Sequence, residues 1–151
     1  MGQIKGYTAL LRCVLVLAVI LISAPAIALE PLFFKPAEDN ADSTKIAYHI
    51  SLPVSAFTLA YADLNGDGKD EIFARTVECP EKFCWFHVLA YAGDDLSTLA
   101  LIKARSVLPS DSYTSGVRDL NVYASPENDF AHENYVWVPQ LSRYTKESGE
   151  E

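Results

Sequence analysis

One nine-residue stretch carries the side chains best suited to chemistry, Asp63-Leu-Asn65-Gly-Asp67-Gly-Lys69-Asp70-Glu71. Oxygen-bearing side chains stand at positions 1, 3, 5 and 9, and glycines stand at positions 4 and 6, where the chain must turn sharply. Calcium takes about six to eight hard oxygen ligands, and alternate side chains of a tight loop can converge on one ion. The predicted calcium ligands are the side chains of Asp63, Asn65, Asp67 and Glu71 and the carbonyl of Lys69. Asp70 is the alternative to Glu71 for closing the shell.

The flanks of this loop distinguish it from an EF-hand. An EF-hand needs a glutamate at about position 12 and a helix on each side, whereas position 12 here is Ala74 and both flanks have strand patterns. The run from Asp63 to Ile72 resembles the calcium loop of FG-GAP and VCBS repeats, D-x-[DN]-x-D-G-x-x-[DE]-[IL]. The resemblance implies a loop that joins consecutive strands and a structural ion. The alternative is a metal-free acidic turn, although neighbouring carboxylates repel one another unless a cation lies among them.

A longer part of the chain resembles small exported bacterial proteins of unassigned activity. These proteins combine a similar loop with a cysteine-bracketed turn before an apolar strand, and with a Gly-x-x-Asp-Leu strand. The corresponding segments here are Asp63 to Ile72, Cys79 to Cys84 before Trp85 to Tyr91, and Gly116 to Leu120. A complete propeller needs at least about four blades of roughly 40 residues, which do not fit in this chain. We therefore expect a single blade-like unit.

The N-terminal segment has the features of an export signal. Lys5 and Arg12 precede the apolar run Val14 to Ile22, which is followed by Pro25 and the small-x-small triplet that ends at Ala28. We predict that residues 1–28 are a signal peptide and that no membrane span remains after its cleavage. The protein would then be periplasmic or secreted. An uncleaved anchor over residues 13–29 is the alternative.

Two cysteines remain after the predicted cleavage, Cys79 and Cys84. An even pair in an exported chain predicts a disulfide, which here would hold a turn between two strands. A zinc site that uses both cysteines and His87 is the alternative, but it lacks a fourth ligand.

The charge balance excludes two classes of partner. The chain has 12 Lys plus Arg and 20 Asp plus Glu, which gives a net charge of -8. Such a surface disfavours nucleic acid and polybasic attachment to membranes. The expected partner is an envelope protein or polymer whose identity the sequence does not reveal.

Short strand patterns dominate the rest of the chain. Residues 29–44 are interpreted as an extended leader, residues 45–144 as a β domain and residues 145–151 as a disordered acidic tail. The predicted strands are Phe57 to Ala62, Ile72 to Val77, Trp85 to Tyr91, Leu96 to Leu108, Leu120 to Ala124 and Tyr135 to Val138. A helix capped by Asp94 or Asp95 is the alternative for residues 96–108. The fold class is therefore mainly β, an antiparallel meander with the calcium loop between two strands.

These features favour a binding or scaffolding module of the cell envelope without catalysis of its own. Hydrolase signatures are absent from the sequence. One alternative is a small envelope hydrolase, which would bring His87 or His132 within hydrogen-bond reach of a Ser or Asp. The other is a secreted inhibitor or interaction partner, which would carry a rigid exposed aromatic patch.

Overall fold

A computed structural model describes residues 31–128 and 130–148 of the chain. The predicted signal peptide, residues 1–28, lies outside these residues. The described part contains one α-helix and nine β-strands arranged in two antiparallel sheets, so the prediction of a mainly β fold is confirmed.

The first sheet has five strands that follow one another in space as in the sequence. They are β1 (Lys35–Pro36), β2 (Phe57–Ala62), β3 (Glu71–Thr76), β4 (Cys84–Ala92) and β5 (Asp95–Ala104). The side chains of β2 alternate between the two faces of the sheet. Phe57 and Leu59 face one side, and Ala60 and Ala62 face the other. Both of its faces are therefore covered in the middle of the sheet.

One face of the first sheet is covered by helix α1 (Ala41–Ile50). The side chain of Asn40 caps this helix by accepting a hydrogen bond of 2.8 Å from Ser43 N, and Ser51 ends it in the left-handed conformation. Ile46 is fully buried against the sheet, in a cluster with the aliphatic and aromatic side chains of Phe57, Leu59, Ile72 and Leu89. The prediction of an extended leader over residues 29–44 is therefore wrong for its last four residues. The cap and the buried Ile46 stabilise a helix there.

The second sheet has four strands, again in sequence order. They are β6 (Ser106–Thr114), β7 (Val117–Tyr123), β8 (Glu133–Val138) and β9 (Arg143–Lys146). The predicted disordered tail starts too early, because Thr145 and Lys146 belong to β9 and pair with β8. The buried ring of Tyr144 fixes this otherwise polar strand, so the burial of one aromatic side chain outweighs the polar sequence.

The expected single blade is in fact two sheets, because the predicted strand over residues 96–108 breaks at Arg105. Residues before the break pair with β4, and residues after it pair with β7. The main core lies between the two sheets and contains Phe73, Phe86 and Ile102 from the first and Val107 and Leu120 from the second. The layers are thus helix, sheet and sheet.

The predicted disulfide is present. Cys79 and Cys84 are joined at an S–S distance of 2.04 Å and bracket the turn between β3 and β4. Both sulfurs are consumed by this bond, which removes the ligands of the alternative zinc site. His87 is half-buried in the middle of β4.

Replacement of both cysteines by serine should lower the free energy of unfolding by about 2 kcal/mol, the chain-entropy value for so short a ring. Chemical denaturation of the wild type and of Cys79→Ser/Cys84→Ser measures this difference. Reductant should destabilise the wild type and leave the double variant unchanged. An equal effect of reductant on both proteins would contradict the assignment.

Candidate metal centre

The loop of residues 63–70 connects β2 to β3, as the sequence predicts. Ala62 pairs with Glu71, so the first and last acidic residues of the motif lie at the same end of the hairpin. Gly66 and Gly68 have φ values of 73° and 81°, which non-glycine residues rarely adopt. The glycines therefore allow the two sharp turns that the motif requires.

Asp63 holds the loop closed. Its Oδ1 accepts a hydrogen bond of 2.7 Å from Gly66 N, and its Oδ2 accepts one of 2.9 Å from Gly68 N. The bond from Gly68, followed by the bond from Gly66, keeps the pKa of the Asp63 carboxyl below its usual value against the opposing effect of burial. Asp63 is thus kept ionised, which is the state that ligates a cation.

The next two polar side chains of the motif form turns of the same kind. Asn65 Oδ1 accepts from Asp67 N at 2.8 Å, and Asp67 Oδ1 accepts from Lys69 N at 2.8 Å. Asn65 also donates from Nδ2 to Glu71 Oε1 at 3.1 Å. These contacts leave oxygen lone pairs on Asn65 and Asp67 for a further ligand. The side chain of Lys69 is exposed.

Glu71 is the buried member of the set, with a relative exposure of 6%. Its Oε2 accepts a hydrogen bond of 2.6 Å from Leu64 N. Burial, and to a smaller extent the charges of Asp63 and Asp67, raise the pKa of Glu71 although the bond from Leu64 opposes this. Asp70, the alternative, is exposed. The geometry therefore brings Glu71 rather than Asp70 into contact with the rest of the loop.

Leu64 anchors the loop in the main core. Its side chain is 1% exposed and packs between the sheets, and its carbonyl accepts a hydrogen bond of 2.7 Å from Arg118 N on β7. The sequence prediction gave this residue no role. An apolar side chain inside an otherwise polar loop was the available signal.

A buried polar network continues from Leu64 into the second sheet. The hydroxyl of Tyr144 donates to the carbonyl of Arg118 at 2.7 Å, and the guanidinium Nε of Arg118 donates to Ser110 O at 2.7 Å. Ser112 Oγ donates to Asp119 Oδ2 at 2.7 Å, while Asp119 Oδ1 is buried without a hydrogen-bond partner among the described residues. Burial raises the pKa of Tyr144, and the charges of Glu71 and Asp119 add to this. The buried phenol of Tyr144 thus lies near both the loop carboxylate and Asp119.

The donor set of the loop fits calcium in its chemistry. Carboxylate, amide and main-chain oxygens are the hard ligands that this ion prefers. Across residues 31–128 and 130–148, no three side chains of the types His, Cys, Asp and Glu are grouped as a metal site. The three carboxylates of the predicted shell, Asp63, Asp67 and Glu71, are therefore not gathered around a common point in the structure. The loop oxygens would still have to turn inward around the ion.

The described structure does not bring together the groups that a histidine-dependent hydrolase would use. His87 makes no hydrogen bond to a described Ser or Asp, and the His132 ring lies 5.4 Å from the ring of Tyr123. His49 Nε2 contacts Thr98 Oγ1 at 2.9 Å. The observation that would favour the hydrolase alternative is therefore absent from the described residues.

Comparison of the chain with protein-family models, curated proteins and solved structures gives no match. Among the helices that the described residues form, none has the length and apolar character needed to cross a membrane.

His87 should make the protein less stable in mild acid. Burial, and less strongly the charge of His49, lower the pKa of His87 below its usual value. Protons then bind the unfolded chain more tightly, so the stability present above about pH 6.5 is lost as the pH falls from there through the folded-state pKa. Thermal unfolding at pH 7.5 and 5.5 should show a smaller loss for His87→Gln than for the wild type. Equal losses would contradict this prediction.

Removal of the Tyr144 hydroxyl should weaken the link between the loop and the second sheet. We expect Tyr144→Phe to destabilise the protein by about 1–2 kcal/mol, because the buried carbonyl of Arg118 loses its hydrogen-bond donor. Urea denaturation measures the change. The matched control is Tyr113→Phe, which removes the hydroxyl of an exposed tyrosine and should change stability by less than about 0.5 kcal/mol. Similar effects of both changes would count against the proposed link.

Proposed function

We propose that the loop of residues 63–71 binds one calcium ion that stabilises the β domain, and that the protein is an exported binding or scaffolding module of the cell envelope. The ligands would be Asp63, Asn65, Asp67, the carbonyl of Lys69 and Glu71. The proposal includes no catalytic step, and the partner would be an envelope protein or polymer.

The observation that carries the calcium proposal is the position of Glu71. A carboxylate that is 6% exposed lies close enough to Asp63 and Asp67 for their charges to raise its pKa. Among the described residues, no Lys or Arg nitrogen forms a salt bridge with it. A divalent cation would convert the mutual repulsion of these carboxylates into attraction.

The role as a module is supported by the way in which the loop is built into the fold. Leu64 connects the loop to the core and to β7, so an ion bound there would strengthen the packing of both sheets. An ion in this place acts on stability and leaves the outer surfaces available for a partner. The predicted signal peptide supports a location outside the cytoplasm.

Thermal unfolding with and without calcium tests the proposal. If the affinity resembles that of other extracellular modules, about 10⁻⁴ M, then about 1 mM calcium should add roughly 1.4 kcal/mol, or some 5 °C in Tm. Magnesium should do much less, because it demands a smaller octahedral shell and retains its waters.

Matched substitutions separate ligation from a general effect of charge. Asp67→Ala should abolish the calcium shift, whereas Asp95→Ala, which removes the same charge from the exposed start of β5, should retain it. Lys69→Ala should also retain the shift, since that position would contribute only its carbonyl. If Asp67→Ala and Asp95→Ala behave alike, or if magnesium matches calcium, the loop is an ordinary acidic turn.

A further inference from the structure

A second candidate site lies at the edge of the first sheet, beside the N-terminal end of helix α1. A cleft of about 390 Å³ opens there, within the usual size range of small-ligand pockets. We call it the aromatic cleft. The residues that define it are Phe33, Lys35, Glu38, Asn40, Leu59 and Tyr61.

Two aromatic rings in this cleft are exposed to solvent. The side chains of Phe33 and Tyr61 are 74% and 51% exposed. Tyr61 lies on β2, and Phe33 lies two residues before β1, whose Lys35 pairs with Leu59. The two rings line the same cleft, one from β2 and the other from the segment just before β1.

Polar side chains beside the rings supply both hydrogen-bond donors and acceptors. Lys35 contributes an ammonium and Glu38 a carboxylate, so the formal charges of the lining cancel. Asn40 uses Oδ1 to cap α1, which leaves its Nδ2 as a donor. A ligand that fits this lining is neutral, has an apolar face for the rings and carries groups that both donate and accept.

A carboxylate on α1 also lies near the sheet beside this cleft. Asp42 on α1 contacts the hydroxyl of Tyr91 at 3.4 Å, and its charge, after burial, raises the pKa of both tyrosines. Lys45 lies 5.6 Å from the centre of the Tyr91 ring and donates to the carbonyl of Asp94. These contacts tie the helix to the sheet next to the cleft and limit its movement.

We propose that the aromatic cleft binds neutral glycan chains through sugar rings stacked on Phe33 and Tyr61. This inference rests on the proposed function as an envelope binding module and names the class of its partner. Sugar hydroxyls both donate and accept, which matches Lys35, Glu38 and Asn40. A proline-rich peptide would also stack on the rings, but proline has no N–H. It could not donate the hydrogen bond that Glu38 loses when the ligand displaces water from its carboxylate.

The net charge of the protein narrows the class of glycan. A chain with a net charge of -8 repels acidic polysaccharides, and the cleft itself has no excess of positive charge. Neutral chains therefore fit better than uronic-acid polymers. The difference in affinity between neutral and acidic glycans can be measured directly.

The test is the binding of chitohexaose, a neutral β-linked oligosaccharide, to the purified protein, followed by saturation-transfer NMR and calorimetry. Tyr61→Ala should weaken binding at least about fivefold, and Phe33→Ala should do likewise, because each removes a stacking ring. Tyr61→Phe should stay within about twofold of the wild type, since it keeps the ring. Oligogalacturonate of equal length should bind more weakly than chitohexaose.

Tyr48→Ala is the matched control, since it removes a tyrosine that is 89% exposed on α1 but lies outside the cleft. It should leave binding unchanged. Equal weakening by Tyr48→Ala and Tyr61→Ala would overturn the assignment, as would a wild type that binds a proline-rich peptide but no chitohexaose. If Tyr61→Ala does not fold, Phe33→Ala at its exposed position decides the question.

The calcium shift in Tm, measured on the same samples, separates the two proposals. A wild type that is stabilised by calcium but binds no glycan overturns the glycan inference and leaves the calcium site standing. Glycan binding without a calcium shift overturns the calcium site and leaves the glycan inference standing. Tyr61→Ala should weaken glycan binding and keep the calcium shift.

Discussion

The backbone of Leu64 joins three parts of the molecule. Its N–H donates to Glu71 at the start of β3, its carbonyl accepts from Arg118 on β7, and its side chain fills the core between the sheets. A loop that carries such an anchor cannot shift without disturbing both sheets. The position of the acidic side chains is therefore determined by the core as well as by the local turn.

This anchor explains why buried charge is tolerated near the core. Glu71, Asp119 and the Tyr144 hydroxyl are each buried, and each is held by at least one hydrogen bond of 2.6 to 2.7 Å. Isolated, such groups would cost several kcal/mol, so their hydrogen bonds are what makes the arrangement stable. The polar network therefore connects the loop to the second sheet.

The features that local sequence determines could be predicted. The loop, its glycine turns and the strand Phe57–Ala62 depend on residues within a short stretch, and the disulfide depends on two cysteines five residues apart. The break at Arg105 could not be predicted, because the apolar pattern continues across it and only tertiary packing sends the chain into another sheet. The roles of Asp119 and Tyr144 were missed for the same reason. Their partners are distant in sequence, and a strand such as β9 exists only because β8 pairs with it.

The strand order has a consequence for how the chain folds. Within each sheet every strand after the first pairs with its predecessor, so the first sheet can form without any strand of the second. Until β6 to β9 follow, the face that carries Phe73, Phe86 and Ile102 has nothing to cover it. A folding chain in which only the first sheet has formed therefore exposes an apolar face, and its susceptibility to misassembly is concentrated there.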